Sequence, residues 1–450
     1  MLKYLLLFLI GGFVAFTFSC SDPTSGTIQN LPPDTHLSLF PDSIIAPGST
    51  LKKISWWGDD PDGFVKGFRF SFDSINWTFT TRNDSTFILS ISGNDSTFRF
   101  FVAAVDDKGL IDPTPATNLY PVINTPPDVS FDAGTELPDT TFPVASFKFT
   151  GSDPDGVETI RYYQWSLNDT DHFSRIPGSV NLLTLTKDSG IVVNSNNVLY
   201  LRAEDNAGAL SPIRKMPDST DTWYVKNNDH KILLLRDLNS SDITISNNYF
   251  PNAFDTIQYD ILDIKSNGGA LIPKIVNPMF VSTLKLFDIV FWVGGNNSIA
   301  NAANFDLALQ SLPFYIQGGG KVFFSSGFQD VADPGTGNFI NFAPIDSVTS
   351  CAVPFYTTSG PDLAPASTGY PVIGPSTGFF GIRGLYTTSG SVIYKLFTGA
   401  GCFDSINVAI KDVAVNPKVI YFDVPVFYLN RDPAASKALF RKIFIDEFGY

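Results

Sequence analysis

The apolar residues of the 450-residue chain follow two different rhythms. Up to about residue 228 they alternate with polar ones. "KGFRFSFD" from Lys66 and "IRYYQWSLN" from Ile160 place aromatic or apolar residues at every second position. A period of two puts one face in a core and the other in water, which predicts half-buried antiparallel strands. From about His230 the apolar runs are unbroken: "KILLLRDL", "FDIVFWVGG" and "KVFFSSGF". Unbroken runs predict strands covered on both faces, as in a parallel sheet. Two helical patterns accompany them. "SIANAANFDLALQSLPFYIQGGG" has helical apolar spacing and closes on glycines. "DPAASKALFRKIFIDEFGY" opens with Pro433 in its first turn and gathers Phe440, Ile443, Phe444 and Phe448 on one face. Strand–helix alternation predicts an open, doubly wound α/β domain over residues 229–450. Within it, the Gly/Ser/Thr/Pro-rich stretch 331–405 reads as an insertion. A structureless loop of that length is unusual, so it is expected to hold extra strands and cover the carboxyl edge of the sheet.

The alternating half contains a repeat. "GDDPDG" at residues 58–63 returns as "GSDPDG" at residues 151–156. Each copy leads into an alternating aromatic strand, and each closes alike, with "AVDDKG" and "AEDNAG". Two matched motifs in the same order predict two β-sandwiches, over 35–126 and 127–228. The pattern resembles fibronectin type III and immunoglobulin-like modules of bacterial surface proteins. That resemblance implies spacer, adhesion or presentation architecture and no shared activity.

The N-terminus changes where these domains are expected to work. Lys3 precedes "YLLLFLIGGFVAFTF", followed by Ser19 and Cys20. A charged start, an apolar core and a small residue before the cut describe a secretory signal over 1–19. With a cysteine directly after it, the segment resembles a bacterial lipoprotein signal. The resemblance implies cleavage before Cys20 and lipidation of its thiol; an uncleaved membrane anchor is the alternative. The polar, Pro-rich residues 20–34 then form a tether. No second apolar span of about 20 residues follows. The expected location is the cell envelope, at the outer membrane and facing either the periplasm or the surface. Cys351 and Cys402 are a candidate disulfide in an oxidising compartment, or two free thiols. Neither sits in a CxxC pair or near a histidine, which argues against zinc. The formal net charge is −14, and no basic cluster offsets it, which argues against a nucleic-acid partner.

Candidate chemistry is sparse. Asp59, Asp60 and Asp62 in the first turn, and Asp153 and Asp155 in the second, offer oxygens that a hard cation such as calcium favours. Asp106 and Asp107, or Glu204 and Asp205, are placed to complete each shell. The competing reading is an ordinary turn, with Pro fixing φ and Gly allowing positive φ. In the last domain, "FWVGGNN" ends one strand in paired glycines and "SSGFQD" follows another. These features resemble the class I glutamine amidotransferase-like fold, whose nucleophile elbow reads Cys-x-Gly-x-Gln. Gly327 and Gln329 match it, and Ser325 stands in place of the cysteine. A serine needs a positioned base. The chain has only His36, His172 and His230, and "YFDVPVFYL" stands where the family shows a His-Pro-Glu type turn. Asp423, Lys395, Lys411 and Lys418 are substitutes without a supporting motif. "GGG" at Gly318 to Gly320 precedes a strand, not a helix, so it cannot cradle a phosphate. Trp56, Trp57, Trp77, Trp165, Trp223 and Trp292 read as core or cross-strand residues, with a sugar-stacking platform as the alternative.

The sequence therefore predicts two immunoglobulin- or fibronectin-like sandwiches followed by a flavodoxin-like, amidotransferase-like α/β domain. The expected role is non-catalytic binding or structure at the cell envelope, with no cofactor. An extracytoplasmic hydrolase using Ser325 and a glycan-binding surface protein are the alternatives. Expected partners are the membrane, through the N-terminal lipid, and an envelope protein or glycan.

Overall fold

The computed structural model describes residues 29–38, 51–89, 96–122, 124–133, 139–218, 221–266, 269–270, 279–297, 302–328, 341–350, 352–398 and 404–450. The leader, Cys20, Gln329, Cys351 and Cys402 lie outside the described residues, and so does the expected disulfide. The chain is mostly β and divides into two compact units. The first holds residues up to Asp128 together with 151–162 and 203–211; the second holds the rest.

In the first unit, strands Asp34–Leu37, Leu51–Asp59 and Asp84–Ile88 form one antiparallel sheet. Strands Thr78–Thr80, Val65–Ser71, Ser96–Asp106 and Ala116–Val122 form another. Their inward positions meet in one core containing Ile54, Trp56, Phe68, Phe100, Val102, Ala104 and Tyr120. Phe100, Val102 and Ala104 are alternate residues of one strand, and none has any exposed surface. Each buried side chain of the Val or Phe class contributes about 1.5–3 kcal/mol relative to exposure. This is the sandwich that the period of two predicts.

A further set of strands follows, most of whose residues belong to the second unit. Strands Leu182–Thr186, Val144–Ser152 and Asp128–Phe131 pair in that order, as do Ser174–Pro177, Ile160–Leu167, Leu199–Asp205 and Arg214–Met216. Their core in this unit surrounds Phe147, Leu185, Leu199 and Trp223. The indole of Trp223 is fully buried and donates to the Thr141 hydroxyl at 2.8 Å, so its one polar atom is satisfied.

The remainder is built on one eight-stranded sheet. Its strands are β1 (Ile232–Asp237), β2 (Asp260–Asp263), β3 (Ile289–Asn297), β4 (Lys321–Phe328), β5 (Ala364–Pro365), β6 (Gly390–Phe397), β7 (Ser405–Asp412) and β8 (Val419–Phe422). The spatial order is β2-β1-β3-β4-β8-β7-β6-β5. The first five in that order are parallel, and the rest run antiparallel. Helices α1 (Ser240–Phe254), α2 (Met279–Leu284), α3 (Ala302–Gln317) and α4 (Pro433–Arg441) cover it. Residues Ile232, Leu234, Phe291, Phe323 and Phe422 share a core with α1 and α4. Their neighbours Leu233, Leu235, Trp292, Phe324 and Tyr421 share the other core with α2 and α3. Both faces of β1, β3, β4 and β8 are thus buried, which is why the sequence shows no polar alternation there.

Chain ends of the helices follow local chemistry. Asp432 caps α4, accepting from Ala434 N at 2.9 Å. Beyond α4 the coil loosens into a π-helical stretch, Lys442–Glu447, that continues to bury Ile443 and Phe444. Gly319 closes α3 with φ of 98°. Helix α1 has no apolar repeat in its first two turns. Asn239 initiates it, accepting from Asp242 N at 2.9 Å, and Tyr249, Phe250, Ala253 and Phe254 hold its second half in the core.

Two sequence expectations change. The strand containing "FFSSGF" does not stop at the serines: β4 runs on to Phe328, so Ser325 and Ser326 are strand residues, not an elbow. The reason is pairing, since Ser325 lies in register with Val293 on one side and Phe422 on the other. The insertion, besides reaching the carboxyl end of the sheet, extends the sheet itself through β5 and β6. Small ladders within it join Ser347–Val348 to Leu385–Tyr386 and Val353–Tyr356 to Phe379–Ile382.

Candidate functional site

The repeated turns carry matching polar networks in the first unit. Asp106 has no exposed surface. One of its carboxylate oxygens accepts from Lys108 N and Leu110 N, at 2.9 and 2.7 Å, and fixes the turn after its strand. The other accepts from the Asn30 carboxamide at 2.5 Å. The second copy repeats this. Asp205 accepts from Ala207 N and Ala209 N at 2.9 and 2.8 Å, and from the Asn124 carboxamide at 2.6 Å. The "DPDG" turns match as well. Asp60 accepts from Asp62 N at 3.2 Å and Asp153 from Asp155 N at 2.8 Å. Asp62 accepts from Leu31 N, and Asp155 from Thr125 N. Repeated sequence has become repeated hydrogen bonding from backbone N–H groups and carboxamides.

These bonds leave particular oxygens over. Asp60 Oδ2, Asp107 Oδ1 and Asn30 Oδ1 are shielded from solvent and have no hydrogen-bond donor. In the second copy the same holds for Asp153 Oδ2 and Asn206 Oδ1. Burial, and then the charges of Asp155 and Asp205, raise the Asp153 carboxyl above its usual range. Asp59 stands apart, exposed and 3.2 Å from His36 Nε2. Among the described residues, no three carboxylate, histidine or cysteine side chains converge as a metal cluster by themselves.

Ser325 sits in β4 with no exposed surface. Its hydroxyl donates to Val424 O at 2.8 Å and accepts from Val426 N at 2.8 Å. It therefore splices β4 to the segment that follows β8. That segment continues into a short 3₁₀ turn, Val426–Tyr428, whose residues are all buried. The Tyr428 phenol in turn donates to Asp242 on α1 at 2.5 Å. Ser326 is equally enclosed, donating to Gly295 O at 3.3 Å.

No histidine approaches this point. His230 precedes β1 and bonds Asp260 through both its backbone N–H and its ring, at 2.9 and 3.3 Å. Ser325 shares register, through Val293, with Arg236, six residues beyond His230. At about 3.3 Å per residue, the two lie on the order of 20 Å apart along the sheet. His36 and His172 belong to surface pairs with Asp59 and Asp169. The Lys411 ammonium is committed to Glu447 at 2.6 Å, and Lys395 is exposed on β6. Asp423 is buried at the end of β8 and accepts from Arg383 N of the insertion at 3.3 Å. At the carboxyl end of β1, Arg236 forms a two-pronged pair with Asp263, at 2.6 and 2.8 Å, and reaches Asn247 at 2.6 Å.

Of the tryptophans, Trp56, Trp223 and Trp292 are core residues, and Trp165 packs partly buried against the Trp223 core. Trp77 lies under Arg69, with 5.6 Å from the guanidinium to the ring centre. Trp57 is 49% exposed, with its ring stacked on His36 at 4.0 Å.

No protein-family model and no curated protein matches the chain. Solved structures give distant likenesses. Fibronectin(III)-like modules of Clostridium thermocellum CbhA align over 43% of this chain and 94% of their own, at 16% identity and TM-score 0.18. A two-domain fibronectin type III segment of chicken tenascin aligns over 41% and 96%, at 15% identity and TM-score 0.19. Bacteroides ovatus SGBP-B, solved in complex with a mixed-linkage heptasaccharide, aligns over 46% and 51%, at 14% identity and TM-score 0.16. The sandwich architecture itself rests on the paired sheets described above.

Proposed function

We propose that the chain is a cell-envelope lipoprotein, lipidated at Cys20, whose sandwich modules present a non-catalytic α/β domain for binding or structure. The single observation that carries the non-catalytic reading is the environment of Ser325. A nucleophile needs a free lone pair, a base and an approach path. This hydroxyl has both its donor and an acceptor site taken by backbone groups, and no surface. The β2-β1-β3-β4-β8 order is the 2-1-3-4-5 order of a flavodoxin-like sheet, which supports the amidotransferase-like reading of the domain. In such sheets ligands collect at the carboxyl ends of the strands. Here Val424 to Tyr428 and the Arg383 segment occupy that end of β4 and β8. Treating the purified protein with a serine-reactive fluorophosphonate tests the reading. The expected result is no label. Labelling that Ser325→Ala abolishes would overturn it.

A further inference from the structure

We infer that the groove between α1 and α4 binds a small amphipathic carboxylate, its apolar body against the helices and its carboxylate on Arg441. The inference rests on the reading of the α/β domain as a binding domain, and it places the ligand away from the usual edge of the sheet. At the carboxyl ends of β4 and β8 the space is taken by Val424 to Tyr428 and by the Arg383 segment. On the helical face, the C-terminal end of α1 and the outer side of α4 border a groove of about 330 Å³. That volume lies at the lower end of the range of about 300–1,000 Å³ for small-molecule sites, which suits one short chain or ring.

The floor of the groove is apolar. Phe254, Ile257 and Ile445 line it, and the first two are continuous with the large core beneath. Ala434 and Ala438, one turn apart on α4, face it with methyl groups only, and both are exposed. A larger side chain at either position would fill the space. The far wall is made by a strained turn. Asp255, directly after α1, has φ of 57° and ψ of −105°, a conformation that costs a residue with a Cβ. The turn closes with Ile257 N–H donating to Phe254 O at 2.9 Å, and so brings Thr256 and Ile257 to the groove.

Charge selects the ligand. The chain has 30 basic residues against 44 acidic ones, so a cation left without a carboxylate is the exception. Two cations border the groove, one turn apart on α4. The Lys437 ammonium is neutralised by Asp255 at 3.0 Å. Arg441 has no ion pair among the described residues. Its guanidinium offers paired N–H donors in the planar fork that a carboxylate matches. The groove therefore joins one uncompensated positive charge to an apolar floor. The complementary ligand carries one negative charge on an apolar body. A polyanion finds no second free cation on this rim, and a cationic ligand is repelled by Arg441.

The test is calorimetric titration of the full chain with sodium octanoate, 1-octanol and sodium acetate. Octanoate should bind once per chain with a Kd on the order of 10⁻⁴–10⁻³ M, as befits about ten non-hydrogen atoms. Octanol, with the tail alone, should bind about three- to tenfold more weakly, and acetate, with the charge alone, not measurably. Arg441→Gln should weaken octanoate by the same three- to tenfold factor and leave octanol unchanged. Ala438→Leu, at an exposed helical position, should weaken both about tenfold or more without lowering the melting temperature. Absence of octanoate binding overturns the inference, and so does octanol binding as tightly as octanoate. Full octanoate binding by Ala438→Leu overturns it too, since the ligand then sits elsewhere. Should Ala438→Leu disturb the fold, Arg441→Gln decides alone, and octanoate binding unchanged in it overturns the inference. None of these results alters the outcome of fluorophosphonate labelling at Ser325, so the non-catalytic reading and this one fall separately.

Discussion

Replacing Ser325 by alanine separates a structural serine from a reactive one. In the wild type a single hydroxyl serves Val424 O and Val426 N, both at 2.8 Å, with no solvent access. Alanine leaves a buried backbone N–H without a partner, which costs about 1–3 kcal/mol, and also strands a carbonyl that keeps a second lone pair. A total near 2–4 kcal/mol follows. For a folding unit of about 150–250 residues, each kcal/mol moves the melting temperature by roughly 2–4 °C. Ser325→Ala should therefore lower the melting temperature of the part built on the eight-stranded sheet by roughly 4–16 °C, read by circular dichroism or by calorimetry. Ser325→Thr keeps the hydroxyl and separates lost bonding from crowding by its extra methyl group. A melting temperature for Ser325→Ala within about 1 °C of wild type would refute the reasoning. It would mean that the hydroxyl holds nothing, and the serine would again be open to a chemical role.

Three further outcomes are expected. Phe291 has no exposed surface and stacks on Phe323 at 4.3 Å and 9°, between α1 and α4, so Phe291→Ala should cost about 3–5 kcal/mol in urea unfolding. Burial raises the phenols of Tyr249, Tyr315, Tyr370, Tyr394 and Tyr421, and pushes Tyr356 up to about 12. Groups whose folded pKa lies above the unfolded value of about 10 stabilise fully below it and lose that contribution as pH rises, so stability measured from pH 8 to 12 should fall steeply above about pH 10. Cys20→Ser should move the protein from the membrane fraction to the soluble fraction, and retention at the membrane would count against lipidation.

What the sequence disclosed depended on whether a feature was local. The alternation around Phe68 and Phe70, and the unbroken run through Phe291, report burial directly, because each strand's faces are written in its own residues. The caps at Asp432 and Gly319 are equally local. Helix α1 was illegible because serine and asparagine dominate its first half; tertiary packing of Phe250 and Phe254, not propensity, holds it. The burial of Ser325 was also hidden. Its partners lie about 100 residues ahead, and nothing near "SSGF" signals that a later segment returns to use the hydroxyl. For the turns, the carboxylates were visible but their division of labour was not. Asn30 and Asn124, which satisfy Asp106 and Asp205, stand far from them in sequence.

The place of β8 in the sheet has a consequence for how the protein comes to be. It is the last strand of the chain, yet it lies between β4 and β7. Until residues 419–422 have emerged, the parallel half of the sheet and the antiparallel half have no common member. Synthesis can therefore complete the sandwiches while the large sheet still lacks its middle, and such long-range closure is intrinsically slow. In that state the strands already made on either side of β8 wait for four residues to join them.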